Sequence, residues 1–291
     1  MKRSMLFIPG NTPGLLINGA CLGADMLIFD LEDAVSPDEK DSARVLVRNI
    51  LKDLDFSGIG TIVRVNSVDS AYFEKDLEAI VPCSPDMIML PKTGCEADVL
   101  RVDARIGALE EKLGMEKNSV RLMLLIETAI GVENAFKSAS ASERVCAIFL
   151  GAEDLSADLR CKRSKEGREI EYARARLVCA GRAAGVDVYD TPFTDVNDDE
   201  GIRRDAEAAK ALGFTGKAAI SPRHVDAINE VFSPSEKDIE YAYEVMEAIA
   251  LARQQGRGAI ALRGKMIDAP IVARAQQTIA AAEELGLGRE I

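Results

Sequence analysis

Eight short apolar runs punctuate the chain, and polar or charged residues cluster where each run stops. The runs occupy 5–8, 26–29, 61–65, 87–90, 122–126, 145–150, 186–189 and 218–220. They end in Pro9-Gly10-Asn11, Asp30-Leu31-Glu32-Asp33, Asn66, Pro91-Lys92, Glu127, Gly151-Ala152-Glu153-Asp154, Asp190-Thr191 and Ser221-Pro222-Arg223-His224, with Arg64 near the end of the third. A single run of this length fits a buried strand or a segment of a buried helix equally well. The intervening stretches carry helical spacing, however, as at Val99, Val102, Ile106, Leu109 and Leu113. Strands alternating with helices predict a parallel sheet. Eight such units predict an α/β fold of the TIM (β/α)8 barrel type, whose active site lies at the strand C-termini.

Local signals set the predicted helices. Ser36-Pro37-Asp38-Glu39 reads as an N-cap, a proline at the first helical position and an acidic first turn, opening a helix over 37–53. Further helices are predicted at 13–22, 70–80, 95–113, 128–139, 170–184, 197–212 and 224–231, with a polar loop through 160–167. Gly114, Gly185 and Gly213 follow three of them as C-caps. The barrel is expected to occupy residues 1–232, and Phe232-Ser233-Pro234 reads as a linker. A C-terminal helical extension, 233–291, is then predicted as a helix over 235–255, a break at Gly256-Arg257-Gly258, a short strand over 259–262, a turn at Arg263-Gly264-Lys265 and a helix over 269–285. The extension is surplus to the barrel. It either covers the barrel base or serves as a lid or oligomer contact.

Composition narrows the function classes. The formal charge of −12 argues against nucleic acid or an anionic membrane as the main partner. No run approaches the roughly 18 apolar residues that a membrane span needs. The apolar start after Met1-Lys2-Arg3-Ser4 is too short for a signal peptide, so the expected location is cytoplasmic. Cys21, Cys83, Cys95, Cys146, Cys161 and Cys179 contain no C-x-x-C pair and read as buried free thiols in a reducing compartment.

The residues at the strand ends carry the candidate chemistry. Glu127 and Asp154 end neighbouring runs, and two carboxylates with waters and substrate oxygens suit Mg²⁺. Alternatively, each caps a following helix. A single histidine excludes a histidine-rich zinc site. Arg64 on an apolar strand needs an anion, either a substrate carboxylate or an internal partner among Asp30–Asp33. Glu32 and Asp33 either orient the waters around a cation or cap a helix. Gly151 and Ala152 are small enough to let backbone approach an anion. Lys92 reads as an anion contact or a solvent-facing residue ahead of a Schiff-base lysine, and His224 as structural. Asp268 precedes a helix, either as its N-cap or as a carboxylate delivered to a barrel mouth. Neither a P-loop nor a Rossmann fingerprint is present.

Seven segments taken together resemble the HpcH/HpaI aldolase group, in its branch of citrate lyase beta subunits and malyl- and citramalyl-coenzyme A lyases. They are Arg3-Ser4-Met5-Leu6-Phe7-Ile8-Pro9-Gly10, Phe29-Asp30-Leu31-Glu32-Asp33-Ala34-Val35, Val63-Arg64-Val65-Asn66, Leu90-Pro91-Lys92, Ile126-Glu127-Thr128, Leu150-Gly151-Ala152-Glu153-Asp154 and Gly264-Lys265-Met266-Ile267-Asp268. Each piece is weak alone, but the ordered set spans nearly the whole chain.

The resemblance implies a Mg²⁺-dependent lyase with Glu127 and Asp154 as metal ligands. It implies that Arg64 binds the keto-acid carboxylate, with Glu127, Pro91, Gly151 and Ala152 around the substrate. Glu32 and Asp268 join Arg64 as catalytic residues, with Asp30 and Asp33 behind the ligands. The implied substrate is a 3-hydroxy acyl thioester on coenzyme A or an acyl carrier. A citryl thioester would be split by a retro-Claisen step into oxaloacetate and an acetyl thioester. The implied assembly is a trimer or hexamer, with citrate lyase alpha and acyl-carrier subunits if the chain works as a beta subunit. The competing readings are a stand-alone citramalyl- or malyl-coenzyme A lyase or thioesterase, an aldolase on free hydroxy-keto acids, and a scaffold subunit with a vestigial site.

Overall fold

The computed structural model describes residues 2–254 and 260–289. Two compact units divide the chain, one spanning Lys2–Glu230 and the other beginning at Val231. In the first, eight strands close into a parallel barrel in sequence order. They are β1 (Ser4–Pro9), β2 (Met26–Asp30), β3 (Gly60–Arg64), β4 (Met87–Leu90), β5 (Arg121–Ile126), β6 (Val145–Leu150), β7 (Asp187–Asp190) and β8 (Gly216–Ala219). The barrel closes through β8 on β1, with Ser4 opposite Lys217 and Leu6 opposite Ala219. The predicted (β/α)8 fold is thereby borne out.

The helices of this part are α1 (Pro13–Asn18), α2 (Lys40–Asp53), α3 (Phe73–Ile80), α4 (Glu96–Leu113), α5 (Ala129–Ala139), α6 (Ala152–Asp158), α7 (Glu171–Ala184), α8 (Asp199–Leu212) and α9 (Val225–Phe232). Gly114, Gly185 and Gly213 terminate α4, α7 and α8 in left-handed backbone, as expected of C-caps. Ser36 holds the N-cap position in extended backbone with Pro37 next, as expected, but its side chain makes no capping bond and Pro37–Glu39 form a 3-10 turn ahead of α2. The short helix α6 was not anticipated, since its seven residues are too few to display a helical period.

Side chains alternate along a strand, so one parity fills the barrel and the other packs against helices. The interior cluster contains Met5, Met26, Ile28, Ile62, Met89, Met123, Leu125, Ala147, Phe149, Tyr189 and Ala218. Two residues further along each strand, the same parity reaches Phe7, Asp30, Arg64, Pro91, Glu127, Gly151, Thr191 and Ile220. A register shift between β5 and β6 sets Leu122 opposite Val145 and Met123 opposite Ala147, which leaves Cys146 as an extra residue.

The second unit holds α10 (Glu236–Gln254), an antiparallel pair β9 (Ile260–Leu262) and β10 (Lys265–Ile267), and α11 (Ala269–Glu284). Its core packs Ala242, Val245, Ile249, Ile267, Val272 and Ala275. The predicted turn at Arg263-Gly264-Lys265 is a hairpin whose return strand begins at Lys265. Gly264 there has φ +77°. The break expected at Gly256-Arg257-Gly258 lies outside the described residues.

All six cysteines are free. The expectation that they are buried fails. Cys21, Cys161 and Cys179 are exposed, and the other three are half-buried. Cys179 illustrates the reason, since α7 buries Ala173, Arg174, Leu177, Ala180 and Gly181, and residue 179 falls off that face. Among the described residues, no helix is long and apolar enough to cross a membrane.

Candidate active site

The inward parity ends at a cavity of about 410 Å³ at the strand C-termini. Phe7, Leu125 and Phe149 supply apolar walls, and Asp30, Asp33, Arg64, Glu127, Gly151, Ala152 and Asp154 also line it. Seven of the residues anticipated from the sequence therefore converge. Pro91 is buried beside β4 but does not line the cavity. Glu32 lies outside the lining and is tied to it through Arg64. Asp268 belongs to the second unit, where its side chain accepts a hydrogen bond from the Ile271 N–H and caps α11.

Arg64 takes the internal partner that its burial demands. Its Nε donates to Asp30 Oδ1 at 2.7 Å and its Nη2 to Asp30 Oδ2 at 2.6 Å. Asp30 also accepts from the backbone N–H groups of Glu32 and Ala34, so one carboxylate folds the β2 loop and holds the guanidinium. Nη1 is the remaining arm, 3.2 Å from Glu32 Oε2. Phe7 lies 5.2 Å from the guanidinium carbon and packs edge-on against Phe149. Burial raises the Glu32 carboxyl above its usual range, against the pull of Arg64 and Lys92. Buried Lys40 donates to the carbonyls of Leu31 and Glu32 at 2.8 and 2.6 Å, fixing the loop from beneath.

Glu127 is 3% exposed, and its Oε1 accepts from the Lys92 N–H at 2.6 Å. Burial pushes its carboxyl up to about 8; the Lys92 N–H opposes this, and the charge of Asp154 reinforces it. A buried acid beside a second acid calls for a cation. The lining offers oxygen donors and neither histidine nor cysteine. No group of three or more histidine, cysteine or acidic residues closes into a cage among the described residues. Two carboxylates in an open cavity fit Mg²⁺, which keeps waters and accepts substrate oxygens, and do not fit a structural zinc site.

Gly151 acts differently from its anticipated role. Its N–H already donates to the Ile126 carbonyl, and that of Ala152 to Thr191 Oγ1, so neither is free for an anion. Instead, a Cβ at 151 would stand 2.7 Å from the Glu127 Cβ and 2.9 Å from its Oε2. Gly151→Ala is therefore expected to displace Glu127 and weaken Mg²⁺ binding about tenfold or more, measured by calorimetry. Unchanged affinity would mean that Glu127 can shift without consequence.

Sequence reasoning missed a set of buried charges behind the cavity. Lys217 is fully buried, with Nζ 2.6 Å from Asp190 Oδ2, Asp205 Oδ2 and the Thr191 carbonyl. Arg174 grips both oxygens of Asp190 at 2.9 and 2.8 Å and reaches Asp205 at 2.7 Å. Two cations and two anions thus fasten α7 and α8 to β7 and β8 and hold Thr191 at the wall. The available signal was a lysine beside the last apolar run. His224 lies outside the cavity lining. It is fully buried, neither ring nitrogen has a hydrogen-bond partner, and burial lowers its pKa.

A parallel barrel with acidic residues and one guanidinium at its C-terminal mouth defines a class of (β/α)8 enzyme equipped for hard-cation chemistry on anionic substrates. The family model for HpcH/HpaI aldolase/citrate lyase matches residues 3–222, and the chain belongs to that family. The citrate lyase subunit beta of Escherichia coli is 40% identical over 289 residues, covering 99% of this chain and 96% of that protein. The L-malyl-CoA/beta-methylmalyl-CoA lyase of Cereibacter sphaeroides is 35% identical over 302 residues, covering 97% and 95%. Among solved structures, CitE from Mycobacterium tuberculosis, in complex with magnesium, acetoacetate and coenzyme A, superposes with a TM-score of 0.80 at 30% identity, covering 97% of this chain and 98% of that one. The chain is a lyase.

Proposed function

We propose that this lyase cleaves the carbon–carbon bond of a 3-hydroxy acyl thioester, in the manner of a citrate lyase beta subunit, giving a keto acid and a shorter acyl thioester. The observation that carries the reading is the convergence of Arg64, Glu127 and Asp154 on one cavity. The leading substrate is a citryl thioester, with oxaloacetate and an acetyl thioester as products. The malyl-coenzyme A lyase relative supports a stand-alone enzyme on a coenzyme A thioester as the second reading.

Glu127 and Asp154 would hold Mg²⁺, which when bound supplies positive charge to the substrate's hydroxyl and carboxylate oxygens. Arg64 binds the carboxylate of the forming keto acid through Nη1 and offsets developing negative charge. Glu32, just outside the lining, is the candidate to take the hydroxyl proton through an intervening water. As that proton leaves, the hydroxyl oxygen becomes the ketone, the carbon–carbon bond breaks, and its electron pair enters a thioester enolate. The enolate carbon then needs a proton, and Asp268 is the candidate acid. The extension that carries Asp268 is proposed as a lid or oligomer contact in a homotrimer or hexamer. Alpha and acyl-carrier subunits belong to the first reading alone.

The test titrates oxaloacetate, pyruvate and glyoxylate into the purified chain, with and without Mg²⁺. Binding is expected only with Mg²⁺, and the preferred keto acid names the substrate branch. Equal binding without the metal would sink the reading.

A further inference from the structure

Lys92 makes three contacts that the proposed chemistry leaves unused. It follows Pro91 at the end of β4 and is one of the few non-glycine residues with left-handed backbone, at φ +53°. That conformation points its N–H at Glu127 Oε1, 2.6 Å away. Its side chain places Nζ 3.0 Å from Glu32 Oε1 and 4.0 Å from Asp33 Oδ1. The second oxygen of Glu32 is the one 3.2 Å from Arg64 Nη1. A single carboxylate is thus shared between two cations, one oxygen to each.

This sharing matters because Asp30 already occupies Nε and Nη2 of Arg64. Nη1, held only by Glu32 Oε2 at 3.2 Å, is the arm a substrate carboxylate can take over. Without the ammonium at 92, Glu32 would lose the cation on its Oε1 and close more tightly on Nη1, since guanidinium and carboxylate favour tight paired contacts. We propose that Lys92 is a positioning residue with two separable tasks: its peptide N–H aims the Glu127 carboxylate, and its ammonium holds one oxygen of Glu32, weakening that carboxylate's grip on Nη1 of Arg64 so that a keto-acid carboxylate can displace it. The inference rests on the lyase reading of the site.

Backbone preference separates the two tasks. Glycine adopts positive φ freely, whereas a β-branched residue strongly resists it. Lys92→Gly therefore keeps the N–H in place and removes the ammonium. Lys92→Val removes both, and Lys92→Arg keeps both. Calorimetry with Mg²⁺ alone, then with pyruvate and oxaloacetate at saturating Mg²⁺, reads the tasks independently. Lys92→Gly is expected to hold Mg²⁺ within about threefold of wild type while losing keto-acid affinity about tenfold or more, the scale of one charge-assisted contact. Lys92→Val is expected to lose Mg²⁺ affinity about tenfold or more as well, and Lys92→Arg to stay within about threefold for both ligands. Equal Mg²⁺ affinity in the glycine and valine variants would overturn the backbone task. Unchanged keto-acid affinity in Lys92→Gly would overturn the ammonium task. If wild type itself bound no Mg²⁺, the lyase reading would fall first.

Discussion

Glu127→Gln is expected to abolish Mg²⁺-dependent binding of keto acids and to lower kcat by at least about 10²–10³-fold, the scale of losing one preorganised electrostatic stabiliser. The substitution keeps the shape of the side chain and the acceptor for the Lys92 N–H, so the fold should survive. It removes the charge that answers the cation. The wild type should also show a diagnostic pH dependence. With its carboxyl pushed up to about 8 by burial, Glu127 is protonated in the metal-free site below that pH. A cation must displace the proton before it binds. Mg²⁺ affinity should therefore rise about tenfold per pH unit below the carboxyl's pKa and level off above it. Calorimetry in buffers of different ionisation enthalpy should detect one proton released per Mg²⁺ on the acidic side. In Glu127→Gln, any residual binding should lose this dependence. A flat profile in the wild type would mean that Glu127 is already ionised in the free site.

The second large effect concerns stability. Lys217→Met leaves Asp190 and Asp205 buried with Arg174 as their remaining close cation. Removing one partner of a buried ionic set costs about 3–5 kcal/mol, because the opposing charge stays desolvated. Urea denaturation should report a loss of that size, with the slope unchanged. Thr191 loses its contact with Nζ as well, so the cavity wall should loosen in the surviving folded fraction. A loss below about 1 kcal/mol would show that water or rearrangement replaces the ammonium, as at exposed pairs.

The alternation of apolar runs and helices was sufficient to read the barrel, because a parallel sheet buried on both faces leaves few polar interruptions within a strand. The same logic leads to the cavity lining at the strand C-termini, since inward positions turn polar only where the barrel opens. Strand ends were less legible. The last apolar run predicts a strand at 218–220, but β8 is Gly216–Ala219. A charged residue at 217 breaks the apolar pattern although it is buried, and Ile220 extends that pattern beyond the strand while remaining 47% exposed. Arg64 was recognised as needing an anion, yet the choice between substrate and Asp30 depended on a loop geometry that no local pattern encodes. Lys92 shows the same limit. Nothing in Leu90-Pro91-Lys92 announces left-handed backbone, which sequence usually signals with glycine or asparagine. The small residue at 151 was correctly singled out for close approach, but the group approaching is the side chain of Glu127.

The barrel interior beneath the charged rim holds four thioethers: Met5, Met26, Met89 and Met123 all lie there with no exposed surface. Unbranched, polarisable side chains fill irregular space through several low-cost rotamers, and leucine can stand in for methionine with little strain. The rim has less latitude, because Arg64 and Asp30 there are matched atom to atom. Adaptation toward a longer or bulkier acid is therefore easiest from below. The plastic floor can drift and deepen the cavity over generations while the rim above it keeps the same chemistry.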